Sequence, residues 1–170
     1  MKGWVTFVEN HDEPRLLTEF PNISETAYAS LIQFIFVSPG VPMLAYGTET
    51  GLALPYHPNH SGLFGMGGEP FNRMMMIWPG DPGWNPNLFE TVRRMAHLRQ
   101  DKPVLRYGDT RYLYPRNSNP KDDLFMLRES KTCDVSSVDC DRVLYAYSTF
   151  GGEYLISLNQ VDLEVRTTRM

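Results

Sequence analysis

The feature that most constrains this chain is an apolar run that stops all at once. Trp4 to Val8 is apolar, β-branched and aromatic, and it empties into the polar string Glu9-Asn10-His11-Asp12-Glu13-Pro14-Arg15. Such a run reads as a buried strand whose far end opens into a loop. Asn22, with Glu25 three residues later, makes a capping-box-like start, Ala27, Leu31, Phe34 and Ile35 follow at helical spacing, and Ser38-Pro39-Gly40 ends the segment. The spacing predicts a helix over 23–37. Val41 to Tyr46 is a second apolar run, closed by Gly47 and emptied into Thr48, Glu49 and Thr50. Strand, helix, strand is a βαβ unit, whose crossover makes the two strands parallel.

The alternation continues and then changes. An irregular stretch from Leu52 to Trp84, dense in Gly, Pro, His and aromatic residues, leads to Asn87 and Glu90, which start another capped helix with Leu88, Val92, Met95 and Leu98 on one face. After Gly108, short strand-like runs follow one another between turn residues: Tyr112 to Arg116, Leu124 to Arg128, Val143 to Phe150, Tyr154 to Asn159 and Leu163 to Thr167. The pattern predicts an α/β portion over 1–108 and an antiparallel, all-β, sandwich-like domain over 109–170. The chain ends at Met170 in strand-like sequence, which reads as a truncated β domain.

A chain of 170 residues can bury a core of useful size. With 16 basic against 20 acidic residues and no basic stripe, nucleic acid is not an expected partner. The longest apolar run, Leu31 to Val37, is interrupted by Gln33 and is too short to span a membrane. Cys133 and Cys140 flank a polar loop and are placed either to close a disulfide or to stand as loop thiols, so no compartment follows from them. His57 and His60 have a spacing that suits a metal, but Pro58 and Asn59 put them in a loop without a clear third ligand, so no metal is assigned. Gly62 to Gly68 lacks the following Lys-Ser or Lys-Thr of a phosphate loop. Met74, Met75, Met76 and Trp78 read as packing residues, with stacking on the ring of a ligand as the alternative for Trp78. Arg15, Glu49 and Arg73 read either as buried ion pairs or as solvated charges.

In parallel α/β architectures the reacting groups sit on loops at the C-terminal ends of the strands, where neighbouring strands converge. Asn10, His11, Asp12 and Glu49 all fall there. By residue type alone they read first as polar residues that cap and turn.

The string Phe7-Val8-Glu9-Asn10-His11-Asp12 narrows this, because it resembles the motif at the seventh barrel strand of the α-amylase family, glycoside hydrolase family 13. Gly40-Val41-Pro42-Met43-Leu44-Ala45-Tyr46-Gly47-Thr48-Glu49-Thr50-Gly51 is similar to the eighth strand and its loop. Asn72-Arg73 with Trp78 resembles the segment before the last helix. Leu98-Arg99 and Lys102-Pro103-Val104-Leu105-Arg106-Tyr107-Gly108 resemble that helix's end and the exit into the C-terminal domain.

The resemblance implies the last two βα units of a (β/α)8 barrel, and an enzyme acting on α-glucosidic bonds with retention. Asp12 would be the third of its catalytic carboxylates and His11 a substrate-binding donor to a sugar hydroxyl. The nucleophile and general acid would lie on the fourth and fifth strands, and a whole barrel takes about 250 residues, so this chain alone is expected to be inactive. An α-glucan or oligosaccharide is the implied partner. No cofactor is implied within this chain, and a calcium ion in a full-length parent is left open. A transglycosylase of the same family and a non-catalytic carbohydrate-binding relative are the alternatives.

Overall fold

The computed structural model describes residues 4–53, 72–113, 123–131, 140–148, 152–158 and 166–168. The first strand, β1 (Val5–Thr6), pairs in parallel with β2 (Val41–Pro42), and the helix α2 (Glu25–Val37) crosses between them after a single turn, α1 (Leu16–Glu19). This is the βαβ unit that the sequence predicts, in a shorter form. Val41 N–H donates to the Trp4 carbonyl at 3.0 Å and Met43 N–H to the Thr6 carbonyl at 2.9 Å, while Pro42 between them has no N–H to give. Gly40 lets the strands approach at φ +98°, where a Cβ would stand 2.6 Å from the Trp4 carbonyl oxygen.

The expectation of a buried strand over Trp4 to Val8 needs correction. Trp4, Val5 and Phe7 are exposed, as are Val41 and Met43. The reason is geometric: among the described residues each strand has one hydrogen-bonded neighbour, so the other edge of each is open.

Helix α2 is capped two residues beyond the expected place. Ser24, and not Asn22, accepts from the Ala27 N–H through its hydroxyl. The buried face is offset from the predicted stripe: Ala27, Leu31 and Phe34 are half-buried, and Tyr28, Ile32, Phe36 and Val37 join Ile35 as the buried apolar residues. Helix α3 (Pro86–Asp101) likewise begins before Asn87: Asn85 is the cap, accepting from the N–H groups of Asn87 and Leu88, and Pro86 fills the first helical position. Lys102 to Gly108 is not a plain exit segment, because Pro103–Tyr107 forms a further short helix, α4, that buries Val104 and Leu105.

The second part is a five-stranded antiparallel sheet in sequential order, β3 (Asp109–Leu113), β4 (Asp123–Glu129), β5 (Arg142–Ser148), β6 (Gly152–Leu158) and β7 (Arg166–Thr168). Its strands correspond to the predicted runs with shifted ends. Among the described residues no second sheet faces it, so the sandwich-like expectation is reduced to one sheet packed on helices. Met126, Val143 and Tyr145 join Tyr28, Ile32, Phe36, Leu88, Met95, Val104 and Leu105 in one apolar cluster. The Tyr145 hydroxyl donates to the Ser30 carbonyl at 3.3 Å, which ties the sheet to α2.

Two buried arginines hold the joints where regular hydrogen bonding runs out. Arg99 donates to the carbonyls of Phe36, Ser38 and Gly40, placing a cation at the C-terminal end of α2 and fixing the turn into β2. Arg128 donates to the carbonyls of Val104 and Leu105, both at 3.3 Å, and to the Thr110 hydroxyl. Burial lowers the pKa of both guanidiniums, yet a guanidinium titrates so high that both remain charged.

Met75 and Trp78 are 90% and 63% exposed, against the expectation that they pack. Residues 73–77 carry no regular secondary structure and cross the surface. Cys140 is buried and disulfide-bonded, while Cys133, His57, His60 and Gly62 to Gly68 lie outside the described residues.

Candidate functional site

The loop after β1 is built on a buried carboxylate. Glu9 follows the strand and is 3% exposed. Its Oε1 accepts from Arg15 at 3.2 Å, from the Tyr28 hydroxyl at 3.5 Å and from the Thr48 hydroxyl, while its Oε2 accepts from the Leu16 N–H at 2.9 Å. A buried carboxylate is tolerable only with partners of this kind. Burial, followed by the negative charge of Glu9, pushes the Tyr28 hydroxyl far above the usual phenol range, so it stays protonated and serves as a donor.

Arg15 completes the base of the loop. It is 2% exposed, and beyond Glu9 it donates to the Asn72 carbonyl at 3.2 Å and to the Tyr46 carbonyl at 2.7 Å. Its guanidinium carbon also lies 4.8 Å from the centroid of the Tyr46 ring, within cation–π range. The loop after β1, the exit of β2 and the segment at 72 are thereby joined through one side chain. Tyr46 adds a hydrogen bond from its hydroxyl to the Met74 carbonyl at 2.7 Å.

On this base sit the two residues singled out from the sequence. His11 and Asp12 are exposed, with His11 Nε2 3.2 Å from Asp12 Oδ1. Asn10 Oδ1 accepts from the N–H groups of Asp12 and Glu13 at 2.7 and 3.2 Å, a local turn that lifts the pair into solvent. Asn10, His11, Arg15, Tyr46, Asn72 and Arg73 line a shallow cavity of about 150 Å³ together with Met43, Leu44 and Ala45. The surface exposed in the cavity is mostly apolar, and Asp12 stands outside its lining.

Of the charged residues left open above, Arg15 is the buried one, and its partner is Glu9 rather than Glu49. Arg73 is exposed and Glu49 half-buried. Glu9 was missed because it opens a polar string in which every neighbour looked equally solvated. The available signal was its place directly after the apolar run, where a side chain still points into the packed layer. Among the described residues no group of His, Cys, Asp and Glu is arranged to hold a metal ion.

No family model matches the chain. It is similar to the cyclomaltodextrin glucanotransferase of Geobacillus stearothermophilus, with 32% identity over 108 residues covering 62% of this chain and 12% of that protein. It is similar too to the intracellular maltogenic amylase of Bacillus subtilis (strain 168), with 31% identity over 100 residues covering 58% of this chain and 14% of that protein. Among solved structures it is similar to the ligand-free form of the cyclic alpha-maltosyl-(1→6)-maltose hydrolase from Arthrobacter globiformis. That likeness has a TM-score of 0.57 at 25% identity and covers 81% of this chain and 26% of that one. The chain is a relative of the α-amylase family, glycoside hydrolase family 13, over part of its length. It spans 12 to 18% of the length of curated glucanotransferases that it matches.

Proposed function

We propose that this chain is the C-terminal portion of an α-amylase-family glycoside hydrolase that cleaves α-glucosidic bonds of α-glucans or maltooligosaccharides with retention. Residues 1–108 would supply the seventh and eighth βα units of the barrel and residues 109–170 the C-terminal β domain. The observation that carries this reading is the pairing of exposed His11 and Asp12 with a rigid buried base, on a loop leaving a parallel strand. Barrel enzymes place their reacting groups on such loops.

In retaining chemistry one carboxylic acid protonates the glycosidic oxygen as its bond to the anomeric carbon breaks. A carboxylate nucleophile bonds to that carbon, and a later attack by water, deprotonated by the same acid residue, releases the sugar. Asp12 is neither of these groups. It is the fixed negative charge that favours the oxocarbenium-like state over the neutral ground state, and His11 donates to a hydroxyl of the same sugar. The acid and nucleophile belong to strands outside residues 1–170.

A second reading has its own support. Several of the relatives are named as glucanotransferases, and in a transferase a sugar hydroxyl takes the place of water in the second step, with Asp12 unchanged. Incubating the full-length polypeptide with maltooligosaccharides and following the products by NMR tests both readings. Glucose or maltose appearing first as the α-anomer supports hydrolysis, and longer or cyclic products support transfer. Residues 1–170 alone should give no turnover. Absence of any α-glucan cleavage by the full-length polypeptide would overturn the proposal in favour of a non-catalytic carbohydrate-binding relative.

A further inference from the structure

The loop that carries His11 and Asp12 is open at its side chains and closed at its backbone. Asn72 Nδ2 donates to the His11 carbonyl at 2.6 Å and to the Glu13 carbonyl at 2.8 Å, so one amide group spans the carbonyls on either side of Asp12. The Asp12 N–H is held by Asn10 Oδ1 at 2.7 Å. The peptide unit that leads into Asp12 is therefore bonded at both its oxygen and its N–H. Because both acceptors of the Asn72 side chain are carbonyls, the amide nitrogen must be the atom that faces them.

Asn72 is itself immobilised. It is 1% exposed, and its own carbonyl accepts from Arg15 Nε at 3.2 Å. The circuit from Glu9 through Arg15 to Asn72 and back to the loop closes on the backbone at Asp12, and Asn72 reaches that backbone from within the lining of the cavity. An exposed aspartate on a polar loop would otherwise sample several backbone conformations. A transition state that needs a charge at one place gains from a single one.

We propose that Asn72 is a positioning residue that fixes the backbone on which Asp12 is presented. The inference rests on the proposed function, and its test separates the two. In the full-length polypeptide, Asn72→Asp replaces the amide NH2 that makes both bonds by a single oxygen of similar size. Asn72→Ala removes them without setting a carboxylate against two carbonyls, and serves if the first variant fails to fold. Each is made alone and together with Asp12→Asn, and kcat and KM on a maltooligosaccharide are measured beside the thermal midpoint. A misplacement of about 1 Å costs on the order of 10²-fold, so the single variants should lose about 10- to 100-fold in kcat with KM changing by less than about threefold. In the Asp12→Asn background the same substitution should cost less than about threefold, because the group it positions has lost its charge. Equal losses in both backgrounds, or an unchanged kcat, would make Asn72 an ordinary structural residue and overturn the inference. If Asp12→Asn alone keeps its turnover, the proposed function fails and takes this inference with it.

Discussion

The strand pair β1–β2 and the strands β4–β5 of the sheet carry similar side chains and treat them in opposite ways. In the pair, Trp4, Val5, Phe7, Val41 and Met43 stand open to solvent, whereas in β4 and β5 Met126, Val143, Tyr145 and Ala146 are buried; the edge strand β3 exposes Tyr112 and Leu113 as the pair does. The difference lies in what each region packs against. Helices α2 and α4 pack on β5, and α4 on β4 too, whereas each strand of the pair has a single hydrogen-bonded neighbour among the described residues. An apolar pattern thus states what a residue requires, and neighbouring elements decide whether it receives it. A closed barrel would supply six further strands and remove both open edges.

The largest effect on stability should come from the one place where the strand-pair region is itself deeply buried. Arg15→Met leaves Glu9 without its cation and should destabilise by about 3–5 kcal/mol, since a buried charge without its partner keeps its full desolvation cost. Denaturant unfolding measures it. A loss below about 1 kcal/mol would break the claim that the loop base is rigid, and adding Glu9→Gln should recover part of the loss.

Next in size is the sheet core. Met126→Ala should cost about 2–5 kcal/mol through lost burial and the cavity left behind. Phe7→Ala in residues 1–170 should cost under about 0.5 kcal/mol, as exposed positions do, and several-fold more in the full-length polypeptide. Equal costs for Phe7→Ala in the two settings would remove the contrast on which the barrel reading draws.

These contrasts also show what the sequence could reveal. The βαβ unit, both long helices and the order of the later strands were legible, because periodicity and turn residues act locally. The caps were displaced, to Ser24 and Asn85, since several adjacent residues carry equally competent oxygens and only the approach of the chain selects among them. The short helix Pro103–Tyr107 was hidden inside a segment read as an exit, although Pro103 at a first helical position was a usable sign. At the site, His11 and Asp12 stood out by motif. Asn72 did not, because its partners lie 61 and 59 residues away along the chain, and Glu9 did not, because it opens a string of polar residues although Arg15 is only six residues on.

A smaller effect should come from the α2 cap. Ser24→Ala removes the acceptor for the Ala27 N–H and should cost about 1 kcal/mol, visible in the same unfolding experiment. A neutral result would show that tertiary packing alone sets the start of α2.

The smallest effect belongs to the surface of α3. Hydrogen bonds from Arg93 and Arg94 lower the Glu90 carboxyl to about 2. A depressed carboxylate stabilises above its unfolded value near 4.5, and that contribution is lost as the pH falls towards 2. Glu90→Gln should therefore flatten the acid side of the stability profile slightly, and about 1 M salt should erase the difference through screening. A salt-independent effect would show that the pair is more than a solvated contact.

The most direct measurement is the turnover of Asp12→Asn in the full-length polypeptide on a maltooligosaccharide. The substitution keeps size and some hydrogen bonding and removes only the charge. Loss of one preorganised electrostatic group typically costs on the order of 10² to 10³ in kcat, about 3 to 4 kcal/mol, and ground-state affinity should fall much less. A variant that binds the oligosaccharide and turns it over at a hundredth of the parent rate or less is the predicted result. One that keeps more than about a tenth of its turnover, less than about 1.4 kcal/mol of transition-state stabilisation, would contradict the role given to Asp12.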